Sequence, residues 1–235
     1  MDYAGIEARL TADIDLPHRP VAVAFRQTAP PGIDRFEGSQ PSGCSYWKLA
    51  SEGRVFYTVA ADHYNCPIGS YTHRIDLPEE RAHELSDTLG LMTQVGYLRM
   101  EEVPSIPRLS EAPGVVVYAP LGATPIDPDV VLFWGPPGRV MVLQEAAIRA
   151  GIAANFNALA RPTCMVLPAA LSSGTSASTG CVGNRVYTEL SESELYVAVP
   201  GRDLARLAAD AAVVRTANDA LLAYHQERRQ QLARA

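Results

Sequence analysis

An α/β fold, a mixed sheet with helices on its flanks, is what this sequence predicts, and three observations predict it. Short continuous runs of β-branched and aromatic residues recur at 19–25, 54–60, 115–118, 129–134 and 195–199, each the length of a buried strand. Segments with helical spacing or a helix-opening proline lie between them, set off by Pro, Gly and Ser clusters. A chain of 235 residues, 47% hydrophobic and 20% charged, has average globular usage, which excludes disorder, collagen and a long coiled coil. It is long enough to bury a sizeable core as a single domain over 1–235.

Taken in order, residues 2–14 read as a short helix and 19–25 as a buried strand. Residues 29–43, rich in Pro, Gly and Ser, form a loop. A short helix follows at 44–51, with Tyr46, Leu49 and Ala50 on one face, then a strand at 54–60 and a polar loop over 62–70. Pro78 opens a helix to about Gly90, with Glu79 and Glu80 at its positive end. Prolines 104, 107 and 113 make 101–114 a loop. The strands 115–118 and 129–134 are separated by a turn in which Asp127 and Asp129 bracket Pro128. Gly135–Pro–Pro–Gly138 breaks the second strand, and 140–150 is helical. Residues 163–167 are too short a run to assign to strand or helix. The Ser/Gly-rich stretch 172–184 reads as a loop, 195–199 as a strand, and 202–232 as a long helix with basic residues at its negative end.

The order of features repeats. An apolar strand, a ProProGly, a cysteine, a second cysteine in a Gly-containing loop and a Pro-led Ala/Leu helix occur once before residue 110 and once after 115. Two diverged pseudo-repeat halves, 15–110 and 115–235, are therefore expected, against the alternative that such elements recur in any α/β protein.

The net charge of −6 argues against nucleic-acid and anionic-membrane partners, since both require a basic footprint. The longest apolar runs are far too short to span a bilayer. The N-terminus carries acids where an export signal needs bases, so a soluble, cytoplasmic protein is expected. Association into a homo-oligomer is left open.

In a reducing compartment the four cysteines become the informative residues, because a disulfide framework is unexpected there. Thiolates are soft ligands, and four of them suit zinc or an iron–sulfur cluster. Structural zinc usually shows close CxxC pairs, which are missing here. Cys66-Pro-Ile-Gly69 and Cys181-Val-Gly183 each combine a thiol with a glycine that lets backbone N–H groups approach sulfur, a setting suited to a cluster ligand. The expectation is a [4Fe–4S] cluster bound by Cys44, Cys66, Cys164 and Cys181. With four ligands it would carry electrons; with three it would leave an iron open as a Lewis acid. The alternative is that the thiols are ordinary core residues and no cofactor is bound.

His63 stands three positions before Cys66 and is the expected catalytic acid or base; paired with Cys66 as nucleophile it would instead make a thiol enzyme. Tyr64, Asn65, Tyr71 and His73 make the surrounding stretch rich in hydrogen-bonding groups, suited to a polar pocket for a small organic substrate. The alternative is a Tyr-rich surface loop. Arg185, beside Gly174, Gly180 and Gly183, is the expected anchor for a substrate carboxylate or phosphate, or else a surface ion pair. No GxGxxG, Walker A, GxSxG or HExxH pattern occurs, so the usual support for NAD, nucleotide, serine-hydrolase and zinc-protease functions is missing. The expected activity is that of a metalloenzyme or redox protein on a small organic molecule, with a non-catalytic small-molecule or metal-binding module as the alternative.

The stretches CysSerTyrTrpLysLeuAlaSerGluGly (44–53), CysProIleGly (66–69), ValTyrAlaProLeu (117–121), ProAspValValLeuPhe (128–133) and GlyCysValGlyAsnArg (180–185) resemble domain-of-unknown-function family 169, the uncharacterised ArCR family. The resemblance extends from about Pro20 to Pro200. It implies an α/β fold and a bacterial or archaeal intracellular setting, and brings no activity.

Overall fold

The computed structural model describes residues 1–159 and 161–234, with 154–159 described by backbone alone. The strands β1 (Val21–Arg26), β2 (Phe56–Val59), β3 (Val115–Pro120), β4 (Val130–Gly135), β5 (Ala154–Leu159), β6 (Thr175–Ser178) and β7 (Leu195–Pro200) form one sheet in the order β2-β3-β1-β4-β7-β6-β5. Every neighbouring pair is antiparallel except β5 and β6. The mixed sheet with flanking helices is thus the one expected. Its order reads alike outward from the β1/β4 seam: β1, β3, β2 on one side and β4, β7, β6 on the other. The seam itself is short, with Val21, Ala22 and Val23 opposite Leu132, Val131 and Val130, whereas β1 and β3 pair along all of β1.

Alternation along the strands sends side chains to two cores. Ala22, Val131, Phe133, Val197 and Val199 meet three helices, α1 (Tyr3–Ile14), α5 (Pro137–Arg149) and α8 (Leu204–Ala233). Val21, Val23, Val130, Leu132, Tyr118, Trp134 and Tyr196 face the opposite way, toward α2 (Gly43–Ser51) and α6 (Val166–Ser173). With both faces covered, β3, β4 and β7 are continuous apolar runs. Of α8, only the first three turns are buried, through Leu204, Leu207, Ala208, Ala211 and Val214. Among the described residues no helix is long and apolar enough to cross a membrane.

Three expectations need correction, and one open assignment is decided. The 62–70 loop is a 3-10 turn (Ala60–His63) followed by the helix α3 (Pro67–Thr72). The helix placed at Pro78 is a 3-10 turn (Glu79–Arg81) and then α4 (His83–Gln94). Residues 163–167 are helical, a 3-10 turn (Thr163–Met165) running into α6. Residues 172–184, expected as a loop, contain β6 and the start of α7 (Val182–Thr188). β6 reads ThrSerAlaSer and has no apolar run to betray it. All four of its residues are nevertheless buried, because small side chains let α6 pack closely over it.

Gly201 joins β7 to α8. Its N–H donates to the Asp129 carbonyl at 2.8 Å, and a Cβ there would stand 1.9 Å from the Pro128 oxygen. Gly201→Ala is expected to lower stability by about 3 kcal/mol, since backbone must move to make room. Gly138, inside α5 with open space around it, is the matched comparison. Gly138→Ala is expected to add about 0.5–1 kcal/mol by helix propensity. Urea midpoints of the two variants check both signs.

Candidate functional site

Each of the four cysteines stands at the head of a helical segment on the α2/α6 side of the sheet. Cys44 is the second residue of α2, and Cys164 the middle of the 3-10 turn that opens α6. Cys66 and Cys181 are the N-caps of α3 and α7. Their sulfurs accept the backbone N–H three residues on, from Gly69 at 3.3 Å and from Asn184 at 3.4 Å. The cap position explains the sequence around them: Pro67 sits at the first helical position, where its missing N–H goes unused, and Gly69 leaves the sulfur space that a Cβ at 3.1 Å would crowd. Cys44 and Cys164 are buried; Cys66 and Cys181 are partly open to solvent.

The four segments meet. Cys164 Sγ lies 4.0 Å from the Ile68 carbonyl, and the Cys181 N–H donates to Thr163 Oγ1 at 2.6 Å. α2 packs on α7 and on the 163–165 turn, and α3 packs on that same turn. Every thiol is within electrostatic reach of the other three. Burial pushes the Cys44 thiol well above its ordinary range; its three sulfur neighbours push it further, and the Asn184 side chain pulls it back. Burial likewise raises Cys66, opposed by the Gly69 amide, with the Cys181 sulfur raising it and the Gly43 and Ile68 amides lowering it. Cys164 is raised by burial and then by Cys66, with the Thr72 hydroxyl opposing. Among the described residues, no group of three or more His, Cys, Asp or Glu side chains could hold a metal ion as they stand.

Polar groups without partners surround the sulfurs. Trp47 Nε1, Tyr118 Oη, Asn184 Oδ1 and both ring nitrogens of His73 are buried with no hydrogen-bond partner among the described residues. His63 is 2% exposed, and its Nε2 lies 2.8 Å from Thr58 Oγ1. Its ring packs edge-on against Tyr46 and His73. Burial lowers its pKa to about 4. Burial and then the neighbouring His63 lower His73 to about 3. Both imidazoles are neutral at physiological pH.

The other expected site residues lie apart from this cluster or are engaged elsewhere. Tyr64 is half-buried, and its carbonyl accepts from Arg81 at 3.1 Å. Asn65 is exposed and donates to Ser39 Oγ at 2.9 Å and to the Gln40 carbonyl at 3.0 Å. Tyr71 donates to the Val103 carbonyl at 3.3 Å, under the Arg108 guanidinium. Arg185 donates to the carbonyls of Thr179, Leu190, Ser191 and Glu194, so it ties α7 to the turn that precedes β7. Sequence reasoning singled out neither Tyr118, Trp47 and Asn184 nor Thr58 and Thr72. A signal existed for the first three, which fall within the stretches at 117–121, 44–53 and 180–185 that carry the family resemblance.

A family model described as uncharacterised ArCR, of the domain-of-unknown-function series, matches residues 9–210. An uncharacterised protein of Methanocaldococcus jannaschii is 26% identical over 204 residues, covering 81% of this chain and 84% of its own. No solved structure matches the chain.

Proposed function

We propose a function on the premise that this chain belongs to the uncharacterised ArCR family, whose name carries no activity: it binds a [4Fe–4S] cluster through Cys44, Cys66, Cys164 and Cys181 and acts as a redox protein on a small organic substrate. The observation that carries this reading is the packing together of the four helical segments that each bear a cysteine, with Cys164 Sγ 4.0 Å from the Ile68 carbonyl and the Cys181 N–H on Thr163 Oγ1 at 2.6 Å. The unpartnered donors Trp47 Nε1 and Tyr118 Oη supply the hydrogen bonds to sulfur that tune such centres. With four thiol ligands the cluster has no open iron and transfers electrons. His63, the acid or base the sequence suggests, is 2% exposed with its Nε2 on Thr58 at 2.8 Å, so its part in this reading is to pack beside the site, and no proton step is assigned to it. Two cysteines come from the chain before the β1/β4 seam and two from the chain after it, which fits a diverged duplication whose first unit takes in β3 on the β1 side of the sheet rather than one divided at 110–115.

Purification without oxygen, followed by iron, sulfide and zinc analysis and a visible spectrum, tests the reading. Expected are about four irons and as many sulfides per chain, with broad absorbance near roughly 400 nm. A colourless protein still free of iron after reconstitution overturns it. A second reading, a binding module whose thiols are structural, is favoured by one observation, that no described group of side chains could hold a metal ion as it stands. The thiol-enzyme reading is weaker. Burial raises the Cys66 thiol, and His63 Nε2 is engaged with Thr58, the reverse of an activated nucleophile.

A further inference from the structure

A cleft with no cysteine in its lining lies where β4 finishes and β7 begins. It has a volume of about 190 Å³ and opens between Trp134 and Tyr196, which are paired across those strands, the end of α2 and the turn before β7. Its aromatic wall is held by packing: Trp134 tilts against Tyr196 at 5.6 Å, and Tyr196 meets Trp47 edge-on at 5.4 Å. The His18 ring stacks over Trp134 at 5.2 Å. The Glu194 carboxylate, its side chain 13% exposed, takes His18 Nε2 at 2.7 Å. An ionised carboxylate only accepts, so Nε2 carries the proton and Nδ1 keeps the lone pair. Indole and carboxylate together fix the imidazole from two sides, which makes it a preorganised acceptor.

The polar groups left uncommitted in the cleft are also acceptors. The Ser51 and Thr188 hydroxyls already donate to the carbonyls of Arg19 and Asn184. Lys48, the one ammonium in the lining, is paired with Glu189. Among the described residues the Glu52 carboxylate has no partner, and Glu194 uses only one of its two oxygens. Three carboxylates against one ammonium make the cleft negative. Its volume is below the roughly 300 Å³ at which drug-sized sites begin, so it admits only a short molecule.

We propose that this cleft binds a small organic ammonium ion, a short aliphatic amine whose N–H groups donate to His18 Nδ1 and to the Glu52 and Glu194 carboxylates while its chain lies against Trp134 and Leu190. Bonds from an ammonium to a carboxylate are charge-assisted. An anion would meet the same carboxylates as like charges, and a neutral alcohol would forgo the attraction. The inference is independent of the cluster reading.

The test titrates the full chain at neutral pH with n-butylammonium, n-butanol and butyrate, probes of one length and different charge. Binding is read by calorimetry, and the His18 ring signals are followed by nuclear magnetic resonance. Expected are saturable millimolar binding of butylammonium, about tenfold tighter than butanol, a shift of the His18 signals, and no binding of butyrate. Glu52→Gln, at an exposed position, is expected to weaken butylammonium about three- to fivefold with an unchanged thermal melt. His18→Phe keeps a ring over Trp134, deletes the lone pair and is expected to weaken binding as well; if it fails to fold, Glu52→Gln decides. Butanol or butyrate bound as tightly as butylammonium overturns the choice of a cation. Butylammonium binding that leaves the His18 signals unmoved, or that Glu52→Gln does not weaken, overturns the site, and so does the absence of saturable binding by every probe.

Discussion

If the proposed cluster is bound, Cys66→Ala is expected to leave the chain folded and to empty it of iron, from about four atoms per chain to fewer than about one, with loss of the visible absorbance. Cys66 is the informative choice among the four. It is partly open to solvent, and its sulfur accepts a 3.3 Å bond from the Gly69 N–H at the N-cap of α3, with the Gly43 and Ile68 amides also beside it, so the expected loss of stability is that of an N-cap, about 1 kcal/mol. Cys44 and Cys164 are buried, and truncating either removes core packing along with a ligand. A circular-dichroism melt separates folding from cofactor loss. A Cys66→Ala protein that keeps its full iron and spectrum would show that this sulfur is no ligand.

Acid is expected to unfold the cofactor-free protein over a defined window. The folded chain holds His63 at a pKa of about 4 and His73 at about 3, against an ordinary value of 6.5. Above that ordinary value both imidazoles are neutral in both states and contribute no pH dependence. As the pH falls below it, the unfolded chain takes up protons that the folded chain refuses, and stability declines. The decline ends only as pH passes the folded values. At about 1.4 kcal/mol for every tenfold change in proton affinity between the two states, each histidine withdraws roughly 3 kcal/mol or more, together comparable to the whole stability of an ordinary domain. Urea midpoints at roughly pH 7.5, 6, 5 and 4 are expected to hold level above the ordinary value and to fall from there down. His73→Phe, which places a ring beside Phe25, is expected to remove about half of the slope. A stability that stays level between neutral pH and pH 5 would contradict the buried placement of the pair.

The strands legible in the sequence were those buried on both faces. Runs such as ValValLeuPheTrp in β4 can satisfy neither solvent nor a helical stripe, so their residue types alone identify them. β6 and α7 escaped because their local chemistry is polar and small, and only packing beneath α6 and the Arg185 clamp gives them order. The cysteines invited a shared site because of their surroundings, yet the sequence holds no distance between 44–66 and 164–181; the sheet order supplies it. Arg185 shows the converse. Its type suggested an anion, and its four carbonyl partners arise from a fold in which α7 ends just before β7. Tyr118 was hidden by company: inside ValValValTyr it reads as one more core residue, and only its unpaired hydroxyl distinguishes it.

The short β1/β4 seam has a mechanical consequence. Three residue pairs are all that the backbone ladder contributes where the earlier and later parts of the chain abut, while two sulfurs from each part lie across that line. Any species gripped by all four acts as a rivet through the join. Filling the site and stiffening the middle of the molecule are then one event, and an emptied protein should give way there before its margins do.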